Sequence, residues 1–261
     1  MGVLQPATQR TDDLYLQGGK LYVALKNSDG TWDDYQYFGM TPSMTGTVNI
    51  ETMEHTQTEE MPPSTDDSVV KKIDVSLSTA VDQISQGMIA LFFLGQTRSE
   101  TQASGSQSGT ITGAKKGYSY DVGYRNFTSF SLTSSDGNTT YSEGSDYTVN
   151  KDTGLLTIVS GGTIADGSDL SWSGDVEAAT YEIVEALTKE KIEAKLRFES
   201  DPIRGKRRIW TFHYVTISPS GDFAIKSAEE YAQASFDIKA LADTTITGDG
   251  LSKFFKVESV A

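Results

Sequence analysis

The sequence contains no cysteine, which excludes disulfide bridges, thiolate metal sites and cysteine nucleophiles. It has no run of roughly 18 apolar residues, so we expect no membrane-spanning helix. The stretch MGVLQPATQR at its start lacks the apolar segment of a secretory signal peptide, and we expect no such signal. Histidine occurs only as His55 and His213. These absences leave two imidazoles and no thiol for metal binding or catalysis.

The charge balance is strongly acidic, with a formal net charge of −14 over 261 residues. Such a chain is poorly suited to bind nucleic acids by neutralising their phosphates, because both partners are negative. The hydrophobic content of 37% still allows a packed interior. The length fits one large domain, or a core with a second small module.

The clearest structural signal is a strand pattern that runs into a helix pattern at residues 71–95. In KKIDVSLSTAV, apolar and polar residues alternate, as they do in a half-buried strand. In DQISQGMIALFFLG, apolar residues recur at the spacing of one helix face. The pattern predicts a short helix over about 84–94, capped by Asp82 or Ser85 and ended by Gly95. An apolar helix among strands is expected to pack on a sheet.

The rest of the chain consists mainly of short strand-like segments separated by turn residues. Residues 96–117 are rich in Ser, Gly, Thr and Gln and are interpreted as a linker. Short strands then follow one another up to Gly174, which predicts a small inserted β module at 97–174. We predict a mainly β protein, a sandwich or barrel with one flanking helix. Its core would comprise 1–96 and 175–261, with an arm at each end.

Two charged stretches are candidates for contacts between molecules. The first has two adjacent prolines and no hydrophobic period, and is predicted to form a long exposed acidic loop over 54–68. The second is a basic turn. The candidate contact residues are Glu51, Glu54, Glu59, Glu60, Met61, Pro62, Pro63, Asp66 and Asp67 in the first stretch, and Arg204, Lys206, Arg207 and Arg208 in the second. Solvated loops without a partner are the alternative interpretation of both.

No catalytic, metal or cofactor site is predicted. His55 lies among acids, but their spacing fits no known ligand arrangement. His213 alternates with aromatic residues and is interpreted as a packed strand residue. The sequence has no nucleophile elbow with a usable base and no glycine loop for phosphates. We therefore expect a protein that is not an enzyme.

The order of these segments resembles the tail tube, or major tail, proteins of long-tailed bacteriophages. An early hairpin (GGKLYVALKNSDGTWDDYQYFGM), a short apolar helix (ISQGMIALFFLG), an inserted module (YSEGSDYTVNKDTGLLTI) and a strand-rich closing portion (from VEALTKEKIEAKLRFE to ASFDIKALAD) are similar to that family. The likeness covers most of the chain, although each motif alone is weak. The departure is in size, because the core without 97–174 would be the usual tube unit.

The resemblance implies a structural subunit of the virion tail, made in the host cytoplasm. Six copies would close a ring whose inner strands form one β-barrel, and rings would stack into a tube. DNA would pass through the lumen without specific binding, since a negative wall repels it. Partners implied are the subunit itself and the tape measure, tail-tip and tail-terminator proteins, with no membrane. The module would decorate the outer surface, and the acidic loop of one ring would meet the basic turn of the next.

Two other classes of protein stay open. A surface β-sandwich adhesin would bind carbohydrate through the module and its tyrosines, although the absent signal argues against it. A secretion-system tube protein of the same fold would inject effectors.

Overall fold

A computed structural model describes residues 14, 16–59 and 61–260. The chain is mainly β with several antiparallel sheets, which confirms the predicted fold class. Its contacts divide it into two units, Met1–Thr97 with Val184–Ala261, and Arg98–Ile183. The helix and strands, in chain order, are β1 (Leu16–Leu25), β2 (Gln36–Tyr37), β3 (Met44–Gln57), β4 (Ser64–Val81), α1 (Gln86–Phe92), β5 (Gln96–Gln102), β6 (Gly105–Ala114), β7 (Ser119–Asp121), β8 (Ser131–Ser134), β9 (Tyr147–Asn150), β10 (Leu155–Ile158), β11 (Ser168–Val176), β12 (Ala179–Glu185), β13 (Ile192–Arg204), β14 (Arg207–Ser220), β15 (Ala234–Ala240) and β16 (Phe255–Val260).

The first unit is built on one antiparallel sheet. Its strand order is β2-β1-β13-β14-β15-β4-β3, and β16 pairs with β14 beyond the end of β15. One row of paired residues crosses six of these strands and serves below as the reference row: Leu25, Ala194, Val215, Ala240, Val75 and Val48. Alternate side chains of the sheet form an apolar core around Phe212 and Phe236.

Helix α1 covers this core, as the sequence predicted. Ser85 is its N-cap, because the hydroxyl accepts a hydrogen bond from the backbone N–H of Met88 at 3.2 Å. The helix ends where Leu94 adopts a φ of 49° and the N–H of Gly95 bonds to the carbonyl of Ala90. Phe92 lies with its ring centroid 5.9 Å from that of Phe236. The apolar helix face is therefore buried on the sheet, over a slightly shorter span than 84–94.

The predicted acidic loop at 54–68 is wrong in form, because most of it is strand. β3 continues to Gln57 and β4 begins at Ser64, so the two make one long hairpin with a turn at 58–63. The prolines lie in that turn, where no ladder hydrogen bond is required of them. The sequence shows no hydrophobic period here because both faces of the hairpin are exposed to solvent.

Unit Arg98–Ile183 has a separate core between the sheets β7-β10-β9 and β6-β11-β8. The predicted linker at 96–117 is wrong, since most of it forms β5 and β6. Ser and Gly are compatible with strands here because alternate positions face solvent, and the backbone of Gly109 passes directly over Trp172, leaving no room for a Cβ. The predicted boundary after Gly174 falls inside β11, and the unit extends to Ile183.

The two predicted arms have different outcomes. The C-terminal stretch is not a free arm, because Phe255–Val260 form β16 and pair antiparallel with Arg207–Phe212 of β14. Stacking of Trp210 on Phe255, with ring centroids 6.1 Å apart, adds to that pairing. The N-terminal arm, predicted over residues 1–12, lies outside the described residues.

Candidate assembly surface

A long exposed stretch of regular structure is the outer part of the β3–β4 hairpin, residues 48–73, here named the distal hairpin. Its described residues are exposed throughout except Gln57, which is half-buried, and Glu60, which lies outside the described residues. Its apolar side chains are nevertheless numerous. Those classed as exposed are Val48, Ile50, Met53, Met61, Val69, Val70 and Ile73.

These apolar side chains occupy both faces of the ribbon. Ile50 is paired with Ile73 and Met53 with Val69. Because successive residues of a strand point to opposite faces, Ile50 and Met53 lie on different faces. A two-stranded ribbon without a covered face is marginally stable in water. The distal hairpin is thus a surface that gains stability from a partner on either face.

The edges of the distal hairpin are also open. Among the described residues, the outer edge of β3 has no strand partner. β15 pairs with β4 only from Val75 to Val81, so within the described ranges β3 is the one strand paired with residues 64–74 of β4. Open edges present unpaired backbone N–H and carbonyl groups, which makes them templates for another strand.

Acidic residues of the stretch predicted as a loop lie on both sides of the hairpin turn. Together with the turn they are here named the acidic tip, which comprises Glu54, residues 58–63, Asp66 and Asp67. Two pairs of polar side chains lie in or next to this region. His55 Nδ1 lies 2.6 Å from Asp66 Oδ1, and Lys71 Nζ lies 3.1 Å from Glu51 Oε1. Since all four side chains are well exposed, each pair contributes little to stability.

The basic stretch forms the turn of a second long hairpin, between β13 and β14, and residues 204–208 are here named the basic tip. Arg207 is paired within the hairpin, because its Nη2 lies 3.0 Å from Asp201 Oδ1. The backbone N–H of Arg208 donates to Ser200 Oγ at 2.7 Å. The charge of Arg207 is therefore partly neutralised by an acid of its own hairpin. Arg204 and Lys206 are exposed on either side of the turn glycine.

The two tips lie at the same end of the sheet. β4 and β14 are both antiparallel to β15, so they run in the same direction. Each begins at its tip and runs toward the reference row, which contains Val75 of β4 and Val215 of β14. The candidate contact residues of opposite charge are therefore brought to one end, on two hairpins separated by β15 and β16.

Sequence reasoning missed one charged cluster, centred on Glu193 in β13. Its carboxylate accepts a hydrogen bond from the Tyr214 hydroxyl at 2.6 Å and lies 2.5 Å from Lys191 Nζ and 2.9 Å from Lys26 Nζ. The hydrogen bond from Lys191, followed by those from Tyr214 and Lys26, lowers the pKa of Glu193 to about 2. Trp32 is the fifth member, because Lys26 Nζ lies 5.7 Å from its ring centroid and the Tyr214 ring lies 5.9 Å away. These contacts join side chains of β13 and β14 to Lys26, which follows β1, and to Lys191, which precedes β13, so we assign the cluster a structural role.

The part of the chain that the structure describes shows no cluster of side chains arranged for metal binding. No three His, Asp or Glu side chains there converge as a metal site would require. His213 lies half-buried in β14, and burial lowers its pKa. No helix of the described ranges is long and apolar enough to cross a membrane.

The tyrosines of unit Arg98–Ile183 do not form a platform. Tyr147 is buried in its core, and Tyr120, Tyr124 and Tyr141 pack against that core. Tyr118 is exposed. The aromatic side chains that suggested a sugar-binding face are thus mostly used to hold this unit together.

Comparison with known proteins gives one family. Residues 14–258 match the model of a family described as protein of unknown function UCP028589. No curated protein matches the chain. The match spans both units, so they occur together in that family.

Proposed function

We propose that this chain, which belongs to the UCP028589 family of proteins of unknown function, is a structural subunit that assembles with copies of itself into stacked rings. The rings would be hexameric and would form the tail tube of a long-tailed bacteriophage, as the resemblance implies. The observation that carries the proposal is the distal hairpin, with exposed apolar side chains on both faces and open strand edges.

The physical argument begins with the cost of leaving this hairpin uncovered. Apolar side chains contribute about 1.5–3 kcal/mol each when they become fully buried. Open edges of this length favour pairing with another chain, and closing a sheet into a barrel removes them. A neighbouring copy of the same chain can cover the exposed apolar face and pair with the open strand edge. In a closed ring every such edge is paired.

The charge of the chain fits a conduit for DNA. At −14 per copy, a closed ring repels a polyanion from every side, so DNA would move through it without adhering. Tape measure, tail-tip and tail-terminator proteins would be the partners at the lumen and at the two ends, and the virion tail would be its location. The absence of enzymatic activity is part of the same proposal.

Sedimentation velocity and negative-stain electron microscopy test the proposal together. Purified protein is examined over a hundredfold range of concentration at low and high salt. Rings or tubes are the expected result, and a species that stays monomeric in every condition contradicts it. Leu155→Thr, on an exposed strand position of the other unit, is the matched control that should assemble normally.

The carbohydrate-binding adhesin is the weaker candidate, because most tyrosines of unit Arg98–Ile183 pack in or against its core. A glycan array with the whole chain separates the two candidates. Specific glycan binding by a protein that never assembles would favour the adhesin.

A further inference from the structure

We infer that neighbouring copies in one ring join side by side through the outer edge of β3 on one copy and the open edge of β1 on the next. The acidic tip of each copy then lies beside the basic tip of its neighbour, within the ring. The inference rests on the proposed function and names the surfaces that this assembly uses. The acidic and basic tips would thus meet between adjacent subunits of one ring, and not between successive rings as expected from the sequence.

The first step is that the sheet has a second open edge at its opposite side. On one side, β1 pairs with β13 along the whole length of β1. On the other side, β1 pairs with β2 only at Tyr22 and Val23. The carbonyl of Leu21 accepts a hydrogen bond from Phe38. Residues 16–20 therefore have no strand on their outer side in the described part of the chain.

The second step is strand direction. β1 starts at the tip end, where Leu16 is paired with Arg204, and runs toward the reference row. β3 runs the opposite way, from the row toward the acidic tip. Rotation about a ring axis keeps the tip ends of all copies together. β3 of one copy and β1 of the next then meet antiparallel, the pairing in which strand hydrogen bonds are straightest.

The third step is the level of the two edges. In the reference row, β1 contributes Leu25 and β3 contributes Val48. Leu16 and Gln57 lie the same number of residues beyond that row, toward the tips. The open part of β1 therefore lies at the same level along the strand direction as the outer part of β3.

The fourth step is complementarity of the side chains. Next to the open edge of β1 lie Leu14 and Leu16, both exposed, and the basic tip at the adjoining end of β13. Next to the β3 edge lie exposed apolar residues and the acidic tip. The occupant that provides opposite charge, exposed apolar surface and an antiparallel edge at the same level along the strands is a second copy of this chain.

End-to-end contact of the tips fits the fold less well. Both tips lie at one end of the sheet, so in a stack of rings that all point the same way they face the other end of the next ring. A two-fold pair of β3 edges is a further alternative. That pair would place two acidic ribbons next to each other and would close at two copies.

Introduced cysteines test the inference cleanly, because the chain has none of its own. Thr56→Cys on the outer part of β3 is combined in turn with Leu16→Cys, Gly18→Cys and Lys20→Cys on the β1 edge. The control combines Thr56→Cys with Ser28→Cys, which lies in the turn at the opposite end of β1. A disulfide needs Cα atoms within about 7 Å, so it reports direct neighbours.

After mild oxidation of assembled protein, denaturing gels without reductant should show a ladder up to a closed ring for at least one β1-edge combination. Neither the Ser28 control nor any single variant should give a ladder. A ladder from the Ser28 control, or dimers from Ile50→Cys alone, would overturn the inference in favour of end-to-end or two-fold contact. Assembly without any β1-edge ladder overturns the inference and leaves the proposed function intact, whereas absence of all assembly overturns both.

Discussion

The two halves of β4 belong to one unbroken strand but have different surroundings. Between Val75 and Val81 its side chains alternate between the core and solvent, and Leu77 and Val81 are buried. Between Ser64 and Ile73 every side chain is exposed, although the sequence there is equally rich in residues that favour strands. Strand propensity thus does not distinguish the two halves of β4. They differ in whether other elements of the chain pack on them. The uncovered half is the part from which a partner surface is inferred.

The largest effect is expected at the covered end. Phe92→Ala removes a ring that packs on Phe236 and Phe223, so unfolding of the first unit should become easier by about 3–5 kcal/mol. The matched change in the distal hairpin, Ile50→Ala, should alter the stability of the monomer by less than about 0.5 kcal/mol. Denaturant titration of both variants measures the difference, and similar values for the two would remove the contrast between the halves.

The reverse contrast should appear in assembly. Ile50→Thr combined with Val70→Thr keeps β-branched side chains but removes apolar surface from the distal hairpin. Association should weaken by about 100-fold, which corresponds to roughly 2.7 kcal/mol shared between two side chains. Sedimentation gives this value, with melting temperature as the check on folding. Normal assembly of the double variant would mean that the hairpin stays uncovered in the assembled protein.

Low pH should reduce the stability of the first unit through protonation of Glu193. Because the pKa of this carboxyl is lowered from 4.5 to about 2 in the folded protein, its ionised form stabilises the fold above the unfolded-state pKa. That contribution is lost as the pH falls from about 5 toward 2. Glu193→Gln should lower stability at neutral pH and flatten the dependence on pH in this window. An unchanged slope between pH 5 and 2, measured by thermal melts, would contradict the assignment.

The smallest effect is expected from single charges at the tips. Lys206 is the better position than Arg207, whose guanidinium already contacts Asp201. Lys206→Glu should weaken association by a few-fold at low salt, since an exposed pair contributes about 0–1 kcal/mol, and the effect should fade at high salt. Adding Glu59→Lys should restore part of it. If the second reversal instead weakens association further, the two tips do not lie side by side.

Sequence patterns predicted the covered half of the molecule well and the uncovered half poorly. The alternation before Val81 and the helical spacing around Met88 reflect one buried face each, which is why both were identified. Near Glu54 and Asp67 neither face of the ribbon is buried, so the strands leave no such period. Likewise, β6 around Gly109 is a strand of small residues whose regularity comes from pairing with β11, which depends on residues far along the chain.

The charged candidates were found by composition, but their arrangement was not. Runs of like charge can be read directly from residues 51–67 and 204–208. That the two tips lie at the same end follows only from the order of β14, β15 and β4 in the sheet. The cluster around Glu193 unites residues far apart in the chain for the same reason, and no local signal marks it.

The continuity of β4 also has a mechanical consequence. A pull on the hairpin tip along the strands acts at right angles to the inter-strand hydrogen bonds, because these run across an antiparallel ladder. The ladder between β4 and β15 is then loaded in shear, many bonds at once, instead of being peeled one after another, while β3 moves together with β4. Force applied to the hairpin tip in an assembled ring would pass along the backbone of β4 into the part of the sheet that α1 covers. The same hairpin that is the least protected part of the isolated subunit is thus the part best oriented to carry tension.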